Sequence, residues 1–397
     1  MKNNSVAILD FGSSKITCML ANKVSDGGDF IIKAVGRSNY NGFDDKGWYE
    51  PETIKKAVFD AISQVENKTE TKIKEIYVGV PGAFCAVASS ESSITFRSKK
   101  KLDNQDVEDL ISKADIFDCG SDLAPLGGKP VYYVLDGGIK CFDIVGNIAT
   151  KVSALVSFSF MKNYFRQTVA PILLEKGIKK VTYVNACEAQ AMYISNAMYI
   201  NGYSIIVDIG HITTNVSLVG GNGLLFARTF ALGSGYLASD LMQVMGLDYN
   251  FAMNVLTKIN LNLDIHDGDA YSVNGRMVDA KRVNEVVKAR VEQIAEHIIK
   301  SFRYCDKEIP SNTVIVLTGG GLTYIRGGAD TLATSLGKPV KVYTSANPQT
   351  NHNEYTSCFG LIHMACSDQN KAIKGLFSFF KRTNTGDNSW ITTQQIT

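Results

Sequence analysis

The chain has 397 residues, 45% of them hydrophobic and 20% charged, with a formal net charge of +2. It is too long for one simple core and suits two to four subdomains, its composition excludes a disordered chain, and its charge gives no general case for binding nucleic acid. Eight cysteines, at 18, 85, 119, 141, 187, 305, 358 and 366, contain no Cys-x-x-Cys pair, which argues against a zinc site or a disulfide framework and fits a reducing cytosol.

Met1–Asn4 leads directly into apolar residues, so no signal peptide is expected, and no apolar run reaches the roughly 18 residues of a spanning helix. Residues 5–36 predict a β-meander. Its first strand, Val6-Ala7-Ile8-Leu9, runs into Asp10-Phe11-Gly12-Ser13-Ser14-Lys15-Ile16-Thr17. Glu50-Pro51-Glu52 opens a helix through about Glu66, with Ile54, Val58, Ala61, Ile62 and Val65 at helical spacing. Ile73–Val80 predicts a strand stopped by Pro81-Gly82. From 80 to 158 the character changes to short strands at Ser93–Arg97, Val131–Leu135, Ile139–Phe142 and Ala154–Phe160, with a helix at about Asn104–Ala114. This is a small α+β insert. Its basic run, Arg97-Ser98-Lys99-Lys100-Lys101, reads as a solvated loop before that helix. Residues 161–200 predict helix, strand (Lys180–Val184), helix.

Ser204–Val219 organises the rest. Ile205-Ile206-Val207 predicts a strand buried on both faces, ending at Asp208, with Gly210, Thr213 and Thr214 before a second strand. A strand-end carboxylate can hold Mg²⁺ directly or through water. The glycine lets backbone N–H groups approach phosphate oxygens, and threonine hydroxyls can donate to them. Alone, the segment reads equally as an ordinary hairpin with a polar tip. The first hairpin has the same grammar 198 residues earlier, from Asp10 to Gly12. Two such half-sites suggest an internal pseudo-repeat facing one ligand, with Lys15 adding a positive charge toward phosphates. Leu232-Gly233-Ser234-Gly235 caps a helix over about Leu237–Met245, and a second helix covers about Phe251–Ile259. Asp279–Tyr304 predicts a long basic helix. The strand Val314–Leu317 enters Thr318-Gly319-Gly320-Gly321, a flat backbone surface for a nucleoside. A helix at about 327–336, a strand at Val340–Tyr343 and a helix at about Tyr355–Ala365 follow.

Two Asp-x-Gly hairpins and a late triple glycine, in this order, resemble the actin/Hsp70/sugar-kinase ATPase superfamily. Within it, Asp10-Phe11-Gly12-Ser13-Ser14-Lys15-Ile16 is similar to the first phosphate motif of FtsA, the bacterial cell-division actin. Val78-Gly79-Val80-Pro81-Gly82-Ala83, Leu232–Tyr236 and Cys358-Phe359-Gly360-Leu361-Ile362 fit the same family, and the likeness covers about residues 5–382. It implies an α/β, actin-like ATPase fold of two duplicated ribonuclease-H-like halves with an inserted α+β subdomain. The implied division is subdomain 1A over 1–79, 159–200 and 348–366, subdomain 1C over 80–158, subdomain 2A over 201–232 and 312–347, and subdomain 2B over 233–311. Residues 367–397 form a C-terminal segment.

The resemblance implies ATP and Mg²⁺ as ligands. Asp10 and Asp208 would organise the metal, Gly12, Ser13, Ser14, Lys15, Gly210, Thr213, Thr214 and Gly233 would surround the phosphates, and Gly319, Gly320 and Gly321 would floor the nucleoside. It further implies polymerisation, recruitment of later division proteins, and tethering of filaments of the tubulin-like FtsZ, whose acidic C-terminal peptide would meet Lys288 and Arg290 on the basic helix. Residues 371–382 place Ile373, Leu376, Phe377 and Phe380 on one helical stripe, with Phe379 at its flank and Lys381 among the charges. This amphipathic helix would lie on the anionic inner face of the membrane. A polar tail, 383–397, follows and reads as disordered. Glu188 and Gln190 lie where the superfamily positions an attacking water, although the FtsA register places that slot nearer Ala186. His211 and Ile212 replace two glycines of the usual second hairpin, and Met253 and Leu256 replace a Glu and a Lys that usually face adenosine. ATP binding is therefore expected with weak or absent hydrolysis, and no catalytic residue is assigned. Alternatives are a PilM-like component of a type IV pilus assembly platform and a divergent sugar-kinase-type phosphotransferase.

Overall fold

The computed structural model describes residues 5–24, 29–196, 202–345, 347–368 and 393–395. Strands β1 (Ser5–Phe11), β2 (Lys15–Lys23) and β3 (Phe30–Asn39) form an antiparallel meander. Helix α1 (Pro51–Thr69) returns the chain to β4 (Glu75–Val80), which lies parallel to β1. Proline at the first turn of α1 loses no needed N–H, and Glu70 ends the helix in the left-handed conformation. The stripe Ile54, Ala57, Val58, Ala61, Ile62 and Val65 is fully buried. Each of its larger side chains contributes roughly 1.5–3 kcal/mol. The helix lies so close to β3 that a Cβ on Gly36 would sit 2.1 Å from the Ala61 carbonyl oxygen.

The insert follows as β5 (Cys85–Lys101), α2 (Asn104–Ala114), β6 (Leu123–Leu135), β7 (Lys140–Cys141) and β8 (Ile148–Lys162), with sheet order β5-β8-β6-β7. Its strands are longer than their apolar runs suggested, because serines and lysines continue the alternation on an exposed face. The basic run at 97–101 is the end of β5, where Lys100 and Lys101 pair with Ala149 and Ile148, and not a loop. The chain then runs through α3 (Asn163–Glu175), β9 (Lys180–Asn185), parallel to β4, and α4 (Ala186–Asn196).

The second half repeats the first. Strands β10 (Tyr203–Ile209), β11 (Thr214–Gly220) and β12 (Gly223–Phe230) form a meander. A helical lobe comes next, with α5 (Ser234–Met245), α6 (Tyr249–Lys258), the small hairpin β13 (Ala270–Val273) and β14 (Arg276–Asp279), and α7 (Ala280–Ser301). The parallel strands β15 (Val314–Thr318) and β16 (Val340–Val342) flank α8 (Gly328–Leu336), and α9 (Thr356–Asp368) follows. The sheet order β12-β11-β10-β15-β16 reproduces β3-β2-β1-β4-β9. At the far edge of the first sheet β17 (Thr393–Gln395) pairs antiparallel with β9. No helix among the described residues is long and apolar enough to cross a membrane.

Two helices join the halves by crossing over. Helix α9, from the end of the chain, buries Phe359, Leu361 and Ile362 with Val6, Ile8 and Met19 of the first sheet. Helix α4, from the first half, buries Ala191 and Ile194 with Ile206, Val219 and Val316 of the second. At their crossing a Cβ on Gly360 would lie 2.4 Å from the Ala189 carbonyl oxygen, so this contact needs glycine. The insert also reaches the second half, where the Asn222 N–H donates to the Val131 carbonyl at 2.9 Å and the Ser157 hydroxyl donates to the Leu224 carbonyl.

Candidate functional site

Asp10 and Asp208 hold equivalent positions near the ends of β1 and β10, opposite Gly79 of β4 and Thr318 of β15. The two hairpin tips close identically: the Gly12 N–H donates to the Lys15 carbonyl, and the Gly210 N–H to the Thr213 carbonyl, each at 2.9 Å. A Cβ at Gly12 or Gly210 would lie 3.0 or 2.9 Å from that same carbonyl oxygen. Close approach, and not a left-handed backbone, is what these glycines supply. The only non-glycine residues with positive φ among the described residues are Glu70 and Asn274. Ile212 thus stays outside the left-handed region, which a β-branched residue rarely adopts.

The tips also touch. The Ser13 hydroxyl accepts the Ile212 N–H at 3.0 Å and the Thr213 N–H at 3.4 Å. Tyr40, after β3, braces the first tip by donating to the Gly12 carbonyl at 2.8 Å, and its N–H donates to the Ser14 carbonyl at 3.2 Å. The second tip abuts α5: Gly210 and His211 carbonyls accept the Ser234 and Gly235 N–H groups at 2.9 and 2.8 Å, and a Cβ on Gly233 would strike His211. Thr214 is fully buried and donates its hydroxyl to the Leu232 carbonyl at 2.6 Å, bracing the loop from beneath.

The crossed helices supply partners to the two carboxylates. Ser357 of α9 donates to Asp10 at 2.8 Å, and Gln190 of α4 donates to Asp208 at 3.0 Å. The same Gln190 amide reaches the Thr356 hydroxyl at 2.8 Å, which shares a hydrogen bond of 2.8 Å with Thr318. Burial raises the Asp10 carboxyl to about 6, the Ser357 bond partly offsetting it and the charge of Asp208 adding to it. Burial likewise raises Asp208, against the bonds from Gln190 and Asn215. Two desolvated carboxylates that repel one another suit a cation between them, and Mg²⁺ characteristically combines one or two carboxylates with phosphate and water. No group of three His, Cys, Asp or Glu side chains placed to hold a metal ion occurs among the described residues.

The triple-glycine turn packs against the second hairpin. Gly319 has φ +90°, and a Cβ there would lie 2.1 Å from Asp208 Oδ1. The Gly321 N–H donates to the Ile209 carbonyl at 2.7 Å, while Gly320 faces Glu354. Lys15 lies over the Tyr355 ring, 5.4 Å from its centroid, with Arg37 at 5.6 Å on the same ring. Lys15 is also close enough to favour the charged form of Asp10. His211 shares a 2.9 Å hydrogen bond between Nε2 and the Tyr249 hydroxyl. Burial, then Lys15, holds its imidazole below the usual histidine range.

Sequence reasoning weighed Glu188 and Gln190 without choosing. Gln190 faces Asp208, whereas Glu188 turns to the insert, held by Lys129 and Ser159 at 2.8 Å each. Ser357, Thr356, Asn215 and Tyr249 were not anticipated. The signal for Ser357 was its place just before the Cys358–Ile362 motif. Leu256 is fully buried in the second core and Met253 packs against that core. Lys288 and Arg290 lie on α7, not with the hairpins. Arg290 is bound in a bidentate pair to Asp240 of α5, at 2.5 Å from both Nε and Nη2. The stripe Ile373, Leu376, Phe377, Phe379, Phe380 and Lys381 lies outside the described residues.

Two matching sheets, joined by crossed helices and facing each other through paired Asp-x-Gly hairpins, define an actin-like fold. Solved structures agree: the PilM-PilN type IV pilus biogenesis complex (15% identity, TM-score 0.57, 91% of this chain and 98% of that one) and MreB5 of Spiroplasma citri bound to AMPPNP (10%, 0.56, 95% and 100%). No protein-family model matches the chain. In sequence the chain is similar to the cell division protein FtsA over most of its length. It is 21% identical over 352 residues to FtsA of Streptococcus pneumoniae (84% of this chain, 74% of that protein), 24% over 341 residues to that of Enterococcus faecalis (79% and 72%), and 21% over 405 residues to that of Escherichia coli K12 (96% and 94%).

Proposed function

We propose that this is an FtsA-type, actin-fold cell-division protein that binds ATP with Mg²⁺ in the cleft between its halves. The observation that carries the reading is the juxtaposition of Asp10 and Asp208 at the ends of two equivalent strands, with matching glycine tips. Asp10 and Asp208 would hold Mg²⁺ directly or through water. Lys15, Ser14 and the hairpin backbones would hold the phosphates, and Gly319–Gly321 would floor the nucleoside. The metal would supply charge neutralisation between triphosphate and carboxylates. A neighbour of the same fold, MreB5, was solved with AMPPNP, which supports nucleotide as the ligand class. Titration of Mg·ATP should give saturable binding that is lost in EDTA and in Asp208→Ala; equal affinity in EDTA overturns the assignment.

The finer reading is that the protein polymerises, receives the acidic FtsZ C-terminal peptide at α7, and recruits later division proteins at the division site. In it, residues 371–382 lie on the inner face of the cell membrane. Similarity to FtsA supports it, as does the amphipathic spacing of Ile373, Leu376, Phe377 and Phe380. A single short helix would bind reversibly and a filament of them firmly, through avidity. Phe377→Glu should release the protein from anionic liposomes while leaving ATP binding intact. Unchanged flotation removes the membrane reading.

A further inference from the structure

One face of the insert sheet spans the joint between the two halves. Residues two apart on a strand share a face, and partners across a ladder share it too. On β8 this groups Leu155, Ser157 and Ser159, and Tyr132 and Lys129 of β6 join them by pairing with Leu155 and Ser157. The alternate residues Val156, Phe158 and Phe160 fill the insert's own core. At one end the shared face grips α4. Lys129 and Ser159 hold the Glu188 carboxylate at 2.8 Å each. The Asn185 amide donates to the Ser159 hydroxyl at 3.1 Å, and its oxygen accepts the Cys187 N–H at the start of α4 at 3.0 Å. Gln190, the partner of Asp208, lies two residues beyond Glu188 on the same helix. At the other end the insert grips the turn between β11 and β12. The Asn222 N–H donates to the Val131 carbonyl at 2.9 Å, its side-chain amide to the Phe142 carbonyl at 3.2 Å, and the Ser157 hydroxyl donates to the Leu224 carbonyl. Val131 is wholly buried with Leu218 and Leu225 in the core of the second half. The approach leaves no room for a side chain: a Cβ on Gly221 would lie 2.5 Å from the Val131 carbonyl oxygen, and one on Gly223 2.8 Å from Val131 Cγ2.

Resting on the nucleotide-binding reading above, we propose that the insert is a strap that sets the rate of nucleotide exchange, holding the β11–β12 turn so that nucleotide leaves only when the turn slips from it. The insert leaves the first half after β4, rejoins it at α3 and is tied to α4 through Glu188, so it moves with that half. The turn belongs to the second half, at the end of β11 opposite the tip that carries Gly210 and Thr213. A rotation of the second half that opens the cleft must therefore shift the turn against Val131, Phe142 and Ser157. Close-packed contacts of this kind change between discrete arrangements and do not slide smoothly. Release then waits on the strap, as product release waits on a lid. Entry of nucleotide waits on the same step, so the strap acts on rates more than on equilibrium affinity.

The full-length protein, loaded with a fluorescent methylanthraniloyl analogue of Mg·ATP and chased with unlabelled Mg·ATP in a stopped-flow instrument, tests this. Gly223→Ala wedges the contact where the backbone is not left-handed. It should speed release about three- to tenfold, the scale of one net hydrogen bond lost from the barrier, and change equilibrium affinity less. The double variant Gly223→Cys, Ser157→Cys supplies the opposite sign, because a Cβ at 223 would lie 3.5 Å from the Ser157 Cβ, within reach of a disulfide. Oxidised, it should release nucleotide several-fold more slowly than the same protein reduced, which mere destabilisation does not produce. The unaltered protein, oxidised and reduced in the same way, controls for the native cysteines. Release unchanged in Gly223→Ala, a crosslinked form that releases as fast as the reduced one, or failure of the pair to crosslink overturns the strap and leaves the cleft assignment standing. Failure of the unaltered protein to bind Mg·ATP overturns both.

Discussion

Ser13 and Ile212 stand 199 residues apart in the chain and share a hydrogen bond of 3.0 Å, the Ile212 N–H donating to the Ser13 hydroxyl. Through it one hairpin tip satisfies the backbone donors of the other. Those donors are the kind that an anionic phosphate would take. Ser13→Ala leaves buried N–H groups without a partner, and an unmet donor costs about 1–3 kcal/mol. Thermal unfolding should therefore begin several degrees lower without nucleotide, and saturating Mg·ATP should recover part of the loss. A variant with unchanged melting in both conditions contradicts the role given to this contact.

Asp10 should show its cost in the pH dependence of stability. Its carboxyl is raised to about 6 in the folded protein, against about 4 in an unfolded chain. Between these values the native state binds the extra proton, so this group makes stability fall as pH rises through about 4 to 6. Asp10→Asn removes the cost and should stabilise the nucleotide-free protein at pH 7.5 by up to about 3 kcal/mol. The gain should disappear near pH 4, and Mg·ATP binding should be lost. Denaturant titrations at the two pH values measure it, and destabilisation at pH 7.5 would count against a strained carboxylate.

The triple-glycine turn makes an unequal prediction for neighbouring residues. Gly319→Ala meets both a left-handed backbone and Asp208 Oδ1 at 2.1 Å. The backbone alone costs roughly 1–2 kcal/mol, and the displaced carboxylate should abolish Mg·ATP binding. Gly320→Ala meets a side-chain carbon, Glu354 Cβ, at 2.9 Å with no backbone strain. It should retain binding within a few-fold. Equal loss in the two variants would mean that Asp208 is not the group affected.

On α7 the two basic residues should separate. Arg290 and Asp240 are four-fifths buried and bidentately paired, so Arg290→Glu sets two carboxylates against each other and should cost about 3–5 kcal/mol of stability. Lys288 has no such acidic partner in view on α5, and Lys288→Glu should leave melting within about a degree. If an acidic peptide docks on this helix, Lys288→Glu should weaken it several-fold at low salt and less at high salt. Melting changes reversed between the two variants would undo this distinction.

Much of the architecture is legible in the sequence because it is written in short-range physics. Apolar runs ending in Asp10 and Asp208, each followed by a glycine two residues later, encode strand, edge carboxylate and tight turn without reference to the rest of the chain. The stripe of α1 and the punctuation at Pro81-Gly82 are local in the same way. The Gly319–Gly321 turn is also visible, although the reason for Gly319 is not, since it lies in the distance to Asp208. Boundaries within the insert were misread because its long strands alternate serine and lysine with apolar residues, and propensity undervalues such strands when a sheet supplies their partners.

What the sequence by itself determined is the pair of half-sites: strand, carboxylate, glycine, hydroxyls, twice. Their meeting was decided by tertiary structure. Helices α4 and α9 cross between the halves, so that Gln190 of the first serves Asp208 of the second, and Ser357 from the end of the chain serves Asp10. Local pattern offers Gln190 only as an alternative to Glu188 and Ser357 only as the neighbour of a motif, because a hydrogen-bonding side chain on a helix is assigned its partner only by the packing of that helix. The same reason governs His211 and Arg290. In sequence one stands in place of a hairpin glycine and the other faces an acidic peptide, and the fold gives each an internal partner, Tyr249 and Asp240.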